Sequence, residues 1–188
     1  MHIDPNVYSG RPSDNRLPEE LAVYDLLEEL GIPYLRADHD HADTMEDCLR
    51  VEAVLGAPIC KNLFLCNRQQ SQFYLLMMPG SKPFKTKDLS AQLGCARLSF
   101  ASPEHMAELL KTTPGSVSAL ELMHDTQGRV QLVVDRDLLE GEYISGHPCI
   151  SPSTLRLHRD DLLRFAAHTG HTPVYVSLPD HSQEPQPL

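Results

Sequence analysis

Three short segments of the chain contain residue types that bind anions or stabilise a developing negative charge. The first is Lys61-Asn62, near the start of the apolar run at 59–65, which is typical of a buried strand. A lysine is seldom buried without a partner, so its ammonium group must reach water or contact an anion. Lysine suits phosphate, and the asparagine amide both donates and accepts hydrogen bonds. The pair fits contact with a phosphate or ribose, and a lysine that merely reaches solvent is the open alternative.

The second and third segments are 114–118, which reads Pro-Gly-Ser-Val-Ser, and 146–148, which reads Gly-His-Pro. In the second, Pro114 fixes one φ and Gly115 permits a positive φ. Such a loop can direct successive N–H groups at an anion or an oxyanion. In the third, His147 offers an imidazole that can line a pocket or donate a hydrogen bond. An ordinary turn and a loop histidine at a strand end are the alternatives.

A metal site or a protein nucleophile has weaker support in the sequence. The run at 39–43 reads His-Asp-His-Ala-Asp, but no third ligand group follows at the usual spacing. No G-x-S-x-G motif surrounds Ser116 or Ser118. Nothing in the sequence near Cys60 or Cys149 predicts a reactive thiol. We therefore expect neither a metal nor a cofactor.

The composition is that of a soluble globular protein with an acidic surface. Of 188 residues, 41% are apolar and 22% charged, and the formal net charge is −10. This charge argues against broad binding of duplex nucleic acid, but a few nucleotides at an RNA end remain possible. A basic cluster at Lys82, Lys85 and Lys87 is either an RNA contact or a solvated loop. Five cysteines without a CxxC motif, and an N-terminus unlike a signal peptide, predict reduced thiols and a cytoplasmic location. No apolar stretch approaches the ~20 residues needed to span a bilayer, so no membrane partner is expected.

Helices and strands follow one another without strict alternation, which predicts an α+β domain with a mixed, mostly antiparallel sheet and flanking helices. This single compact domain is expected to span 17–178, between an irregular arm at 1–16 and a disordered tail at 179–188. Thr44 and Ser102 match helix N-caps. The predicted helices run from 18 to near 31, from the cap at Thr44 to just before Gly56, over about 87–93, from the cap at Ser102, and over 159–168. The predicted strands cover 33–38, about 59–66, about 72–78, 129–135, 143–144, 154–157 and 174–176.

The order and spacing of the three segments resemble the YbaK / prolyl-tRNA synthetase editing-domain superfamily. The shared segments are Lys-Asn-Leu-Phe-Leu at 61–65, Gly-Ser-Val-Ser at 115–118 and Gly-His-Pro at 146–148. The resemblance covers roughly 18–178 and is greatest to the freestanding branch that deacylates mischarged alanyl-tRNA(Pro), the prolyl-tRNA synthetase associated domain proteins. It implies a compact α+β fold with a sheet-lined pocket for the aminoacylated 3′ end of a tRNA. Prolyl-tRNA synthetase is a further partner that it suggests.

The resemblance also implies a role for each segment. Lys61 would contact the phosphate or ribose of the terminal nucleotides, with Asn62 beside it. The backbone of 115–117 would hold the ester carbonyl and stabilise its oxyanion, and His147 would line the aminoacyl pocket. Hydrolysis would use a water assisted by the terminal ribose hydroxyl of the tRNA, without a cofactor. The implied catalytic set is Lys61, Gly115, Ser116 and His147, and the implied substrate-binding set is Asn62, Val117, Ser118, Gly146 and Pro148.

The chain departs from the family pattern directly after Ser118. It has Ala119-Leu120 where the family often has Pro-Phe. If this stretch shapes the pocket floor, the amino acid removed could differ from alanine. The same departure, together with the acidic composition and the polar arm, leaves a second hypothesis open. In that hypothesis the protein is a non-catalytic module that binds the tRNA end or docks on a synthetase.

Overall fold

The computed structural model describes residues 1–42, 44–150 and 152–182, apart from the side chain of Met45. Across these ranges the predicted α+β class is confirmed, with the strands divided between two sheets. The helices are α1 (Pro18–Glu29), α2 (Met45–Leu55), α3 (Thr86–Leu93), α4 (Pro103–Leu110) and α5 (Arg159–His168), with 3-10 helices at Ala119–His124 and Arg136–Glu140. The strands are β1 (Tyr8–Ser9), β2 (Tyr34–Asp38), β3 (Cys60–Cys66), β4 (Phe73–Pro79), β5 (Ser99–Phe100), β6 (Val130–Asp135), β7 (Tyr143–Gly146), β8 (Ser153–His158) and β9 (Val174–Val176).

The larger sheet has the strand order β5-β3-β4-β6-β9. β3 pairs antiparallel with β4 and β5, whereas β6 runs parallel to both of its neighbours. The smaller sheet is antiparallel throughout and has the order β1-β2-β8-β7. The main apolar core contains side chains from both sheets and from α1, α4 and α5. The site described below lies at this junction of the two sheets.

The β3–β4 hairpin separates two apolar cores because successive strand residues point to opposite faces. Phe64 pairs with Leu75, and both belong to the main core. Leu76, the next residue of β4, belongs instead to a second core with Leu89 of α3 and Val176 of β9. Adjacent residues of β3 are therefore sent to different sides of the sheet.

Helix boundaries follow local signals in the sequence. Thr44 caps α2 by accepting a hydrogen bond from the N–H of Asp47 at 3.1 Å, and Ser102 caps α4 ahead of Pro103. No helix in the described ranges is both long enough and apolar enough to cross a bilayer. The sequence pattern does not predict the 3-10 helices or the strands β1 and β5, because such short segments show no period.

The N-terminal arm lies against the smaller sheet. β1 extends this sheet by pairing with β2. At the end of the arm, the guanidinium of Arg16 lies 3.3 Å from the carboxylate of Glu20 and 3.1 Å from that of Asp38. Arg16 also donates to the hydroxyl of Ser153 in β8 at 2.9 Å. The arm is thus joined to an interior strand by an ion-pair network.

The described part of the C-terminal tail packs on α3. Nε2 of His181 lies 2.7 Å from a carboxylate oxygen of Asp88. Residues 183–188, which make up most of the predicted disordered tail, lie outside the described residues. Disorder of that tail stays a prediction.

Lys82 does not belong to an exposed basic cluster. Its side chain is 5% exposed, and its ammonium group lies 2.7 Å from carboxylate oxygens of both Asp135 and Asp137. Asp135 is fully buried at the end of β6. The interpretation of Lys82 as an RNA contact or a solvated residue is therefore wrong, because Asp135 of β6 and Asp137 of the following 3-10 helix supply its counterions. The pair fastens the loop after β4 to the end of β6.

We predict that Lys82→Met lowers the free energy of unfolding by about 3–5 kcal/mol, because the charge of Asp135 would stay buried without a counterion. The measurement is urea denaturation followed by circular dichroism. Lys87→Met is the matched control, since Lys87 is exposed, and it should change stability by no more than about 0.5 kcal/mol. Equal stability of the two variants would contradict a structural role for the Lys82 ion pair.

Candidate active site

Lys61 and Asn62 point to opposite faces of β3. Lys61 pairs across the hairpin with Met78 of the second core, whereas Asn62 pairs with Met77 of the main core. The two side chains therefore do not lie side by side as expected, because adjacent strand residues alternate. The individual roles assigned to them stay predictions.

Asn62 presents an unsatisfied acceptor on the main-core side. It lies on the same face as Cys60 and Phe64, the residues two positions before and after it. Its Oδ1 is buried and has no hydrogen-bond partner among the described residues. An unpaired buried acceptor costs about 1–3 kcal/mol. A ligand that offers a hydroxyl or an ammonium group to this oxygen would recover that cost.

Lys61 holds a positive charge on the other side of the strand. Its ammonium group donates to the backbone carbonyl of Lys82 at 2.9 Å, and burial lowers the pKa of Lys61 below its ordinary value. No carboxylate in the described part of the chain forms an ion pair with it. A half-buried cation whose partner is a neutral carbonyl is poised to bind an anion, since desolvation leaves its charge uncompensated.

The turn at 113–116 uses one of the three backbone amides expected to face the ester. The N–H of Ser116 donates to the carbonyl of Thr113 at 3.1 Å, and Gly115 has a φ of +89°, which favours glycine. Ser116 is therefore unavailable as an oxyanion donor in this conformation. No described residue accepts a hydrogen bond from the amides of Gly115 and Val117. These two N–H groups are the donors that the loop can offer.

Ser118 and Gly146 bring two distant loops into contact. The hydroxyl of Ser118 donates to the backbone carbonyl of His147 at 2.7 Å and accepts from the N–H of Leu120 at 3.2 Å. A Cβ on Gly146 would lie only 3.2 Å from Cβ of Ser118, so glycine permits this approach. The Ser118 hydroxyl therefore holds the loops together, and its proton is directed away from a nucleophilic role.

Glu121 fastens the same two loops through their backbones. Its fully buried carboxylate accepts from the N–H of Ser118 and, at 3.1 Å, from the N–H of Cys149. Burial raises the pKa of Glu121 well above its usual range, although the two N–H donors oppose this effect. Sequence reasoning missed this residue, yet residues 118–121 match the S-x-x-E pattern of a capping box, which the structure contains.

His147 is held as a neutral hydrogen-bond acceptor. Its Nδ1 lies 2.8 Å from the carbonyl oxygen of Ser153, and a carbonyl can only accept, so Nδ1 carries the proton. Nε2 of the neutral ring therefore keeps its lone pair. Burial lowers the pKa of His147 to about 4, which keeps the ring neutral near pH 7. Nε2 of the ring can accept a hydrogen bond from water or an ammonium group, while the N–H at Nδ1 donates to the carbonyl of Ser153.

A second histidine, His39, is linked to His147 through Thr154. The Thr154 hydroxyl oxygen lies 2.8 Å from Nε2 of His39 and 3.3 Å from Nδ1 of His147. Nδ1 of His39 lies 2.6 Å from the carbonyl of Asp40, so both of its ring nitrogens have protein partners. Asp43, from the same run, lies outside the described residues. Sequence patterns cannot predict this contact, because the pairing of β2 with β8 creates it.

The two cysteines nearest the candidate site are unreactive as nucleophiles. Burial raises the pKa of Cys60 to about 12 and also raises that of Cys149. The thiolate is the reactive form, so both groups stay protonated near neutral pH. Sγ of Cys149 lies 3.5 Å from Nε2 of His124, but burial lowers the pKa of that histidine and keeps it neutral. All five cysteines are free thiols.

Comparison with known proteins identifies the family. The aminoacyl-tRNA editing domain matches residues 39–165, a range that contains β3 and both loops of the candidate site. The chain belongs to the aminoacyl-tRNA editing domain family. It is 31% identical over 157 residues to the prolyl-tRNA editing protein ProX of Acetoanaerobium sticklandii, covering 84% of this chain and 96% of that protein. It is 32% identical over 156 residues to prolyl-tRNA synthetase associated domain-containing protein 1 of Danio rerio, covering 82% and 84%.

Solved structures share the fold of this editing domain. A candidate trans-editing enzyme for prolyl tRNA synthetase matches with a TM-score of 0.66, over 88% of this chain and 99% of that one, at 18% identity. The hypothetical protein APE2540 matches with a TM-score of 0.62, over 80% and 95%, at 21% identity. At these identities the likeness concerns the fold alone. Together with the family match, it confirms the resemblance found in the sequence.

We predict that Glu121→Gln lowers the free energy of unfolding by about 1–3 kcal/mol. Glutamine keeps the shape of the side chain, but its amide nitrogen must face the N–H of either Ser118 or Cys149, and two donors cannot bond. Urea denaturation should be compared with that of Glu140→Gln, a control at an exposed position. If both variants unfold at the same urea concentration, Glu121 does not bridge the loops.

We also predict that His147 makes the folded protein sensitive to acid. Because its folded pKa of about 4 lies below the ordinary value of 6.5, the unfolded chain binds a proton between these values and the folded chain does not. The contribution of His147 to folding stability is complete above its ordinary pKa. It is lost as the pH falls through the pKa that His147 has in the folded protein. In denaturation measured across that range, His147→Gln should reduce the slope of stability against pH, whereas the exposed His168→Gln should leave it unchanged. A wild-type slope in His147→Gln would refute the assignment.

Proposed function

We propose that the protein is a trans-editing aminoacyl-tRNA deacylase that hydrolyses the ester of mischarged tRNA, with alanyl-tRNA(Pro) as its substrate. The observation that carries the proposal is the contact between the loops at 114–118 and 146–149 on the Asn62 side of β3. We infer that this contact, together with β3, brings the unpaired acceptor of Asn62, the two free amides of the loop and the neutral imidazole of His147 into one site. Membership of the editing-domain family, and the likeness to a protein named for prolyl-tRNA editing, support the same class of reaction.

Asn62 is assigned to this group by the face of β3 on which it lies. Cys60, two residues earlier on that face, has its thiol against the backbone of Ser145, which precedes Gly146 in β7. Phe64, two residues later, shares the main core with Val117. On these grounds the amide of Asn62 is assigned to the same site as the two loops.

The amides of Gly115 and Val117 are the proposed oxyanion donors. An aminoacyl ester is already activated, so positioning and a small number of donors are enough to promote attack by water. Each well-placed donor typically contributes about 3 kcal/mol to the stability of the transition state. Ser116, whose N–H belongs to the turn, is a positioning residue in this scheme rather than a donor.

The acceptors His147 and Asn62 suit the donor groups of the substrate. The aminoacyl end of a tRNA offers an ammonium group and a terminal ribose hydroxyl, and Nε2 of His147 and Oδ1 of Asn62 can each accept from one of them. The attacking water is assisted by that ribose hydroxyl in the proposed reaction. This assignment needs no protein nucleophile, in keeping with the raised thiol pKa values and the engaged hydroxyl of Ser118.

Lys61 is the proposed phosphate contact. It is the second residue of β3, so a nucleotide that crosses the strand end can place its ester on the Asn62 side and its phosphate on the Lys61 side. The carbonyl of Lys82 would then exchange places with a phosphate oxygen as the partner of the ammonium group. A charge-assisted hydrogen bond to phosphate is stronger than one to a neutral carbonyl.

Selection for alanine is proposed to come from a small pocket. The position of a Cβ on Gly146 lies 3.4 Å from the hydroxyl of Ser118 and 3.9 Å from Cδ1 of Leu120, so little space remains there. A pocket that must favour the larger side chain gains only about 1–3 kcal/mol per methylene, whereas a small pocket rejects proline by a clash. Leu120 stands where the family often has Phe, which makes it the residue most able to alter this selection.

The first test is hydrolysis by the purified protein of tRNA charged with alanine, serine, cysteine or proline. We expect loss of alanine from tRNA(Pro) while prolyl-tRNA(Pro) is spared. Loss of a different amino acid would keep the deacylase class and overturn the alanine assignment. If every ester survives while tRNA still binds, the deacylase proposal fails and the protein is a binding module.

For the same reaction we predict that Lys61→Met lowers kcat/KM by about 10- to 100-fold, the equivalent of one charge-assisted hydrogen bond. Methionine keeps the apolar stem, so circular dichroism and the urea midpoint should stay close to those of the wild type. The matched control is Lys111→Gln, which removes one exposed positive charge from the end of α4. Full activity of Lys61→Met would refute the phosphate contact.

A further inference from the structure

We propose that a groove between α3 and β5 binds the single-stranded acceptor end of the tRNA next to the esterified nucleotide. This inference rests on the proposed function and adds to it a surface that the reaction itself does not require. We call this surface the Phe84–Phe100 groove. Its lining includes four cationic and two aromatic side chains: Arg68, Lys85, Lys87, Arg97, Phe84 and Phe100.

The shape of the groove suits an extended chain. It consists of two adjoining cavities of about 730 and 680 Å³, which share Thr86, Arg97 and Phe100 as lining residues. Because the two cavities share lining residues, they form one continuous groove that can hold several nucleotides of a single strand. Sites of this kind combine a positive groove with aromatic platforms.

The charge of the groove is opposite to that of the protein as a whole. On a chain of net charge −10, four of the sixteen lysine and arginine residues line these two cavities. In the described part of the chain, no carboxylate forms an ion pair with Arg68, Lys87 or Arg97. Asp88, which follows Lys87, is engaged by His181 at 2.7 Å. The groove is therefore an electropositive strip on an acidic surface, which fits a phosphate backbone.

The aromatic residues of the groove suit an unpaired base. Phe100 is 60% exposed, which is unusual for a large apolar side chain on a two-residue strand. Its ring meets that of Phe84 edge to face, with the centroids 6.2 Å apart, so Phe84 supports it from one side. An exposed aromatic face beside cations is a stacking platform for a base of any identity.

The groove begins next to the proposed phosphate contact. The ammonium group of Lys61 lies 2.9 Å from the carbonyl of Lys82, and Phe84 follows only two residues later. Two residues of extended chain span at most about 7 Å. A strand whose last phosphate reaches Lys61 can therefore place its preceding nucleotides in the groove.

The test measures binding of an uncharged RNA hairpin with a single-stranded acceptor end, by fluorescence anisotropy at several salt concentrations. Lys87→Glu/Arg97→Glu should weaken binding at least 10-fold. It should also reduce the dependence of log K on log salt concentration by about 0.7 for each phosphate of the single strand that the variant no longer neutralises. Phe100→Ala and Phe100→Leu should each weaken binding about 5- to 150-fold, because leucine is apolar but cannot stack. Lys111→Glu is the control for one charge reversal outside the groove, and the single variants Lys87→Glu and Arg97→Glu match it in charge.

The proposal is overturned if the groove variants bind the hairpin as tightly as Lys111→Glu does, or if the wild-type protein does not bind it. Wild-type affinity in Phe100→Leu would overturn the stacking role. If the groove variants bind the RNA hairpin normally but no longer bind prolyl-tRNA synthetase, the groove is a protein-docking surface and the proposal is overturned. Because this assay involves no hydrolysis, groove-dependent binding without deacylation would refute only the proposed activity. Deacylation with groove-independent binding would refute only this inference.

Discussion

A single buried carboxylate joins two backbone segments that are far apart in the sequence, and the candidate site depends on this contact. Glu121 accepts hydrogen bonds from the N–H groups of Ser118 and Cys149, while the missing side chain of Gly146 lets the segments meet. Because the donors belong to the main chain, the contact fixes backbone positions rather than side-chain rotamers. The loop amides and the nearby imidazole are oriented as a consequence. Without the Glu121 carboxylate, the N–H groups of Ser118 and Cys149 would be buried without acceptors. This explains why a carboxylate is tolerated in the core.

The alternation of side chains along β3 divides the proposed chemistry between two sides of one strand. The neutral acceptor Asn62 lies on the side proposed for the ester, and the cation of Lys61 lies on the other. In the proposed reaction this separation keeps the lysine away from the ammonium group of the aminoacyl ester, which it would repel. In this proposal the substrate crosses the end of β3, so that its ester and its phosphate lie on opposite sides of the strand.

Local patterns predicted most elements because apolar runs, capping residues and turns act over a few residues. They could not assign Lys61 and Asn62 to faces: β3 lies between two cores, so its run is apolar on both sides and shows no alternation. The S-x-x-E pattern at residues 118–121 could have predicted the capping role of Glu121. The partners of His39 and Lys82 come instead from pairings between distant strands, which no local signal encodes.

The sheet order has a consequence for where this protein can be divided. The family match begins at residue 39, yet β2 ends at Asp38 and is an interior strand between β1 and β8. Ser153, whose carbonyl orients His147, also donates its hydroxyl to Asp38 at 2.7 Å and accepts from Arg16. A fragment cut at the start of the family match would expose the backbone edge of β8 and release that serine. Cloning, fusion or exchange of the domain must therefore carry the N-terminal segment with it, as part of one cooperative unit.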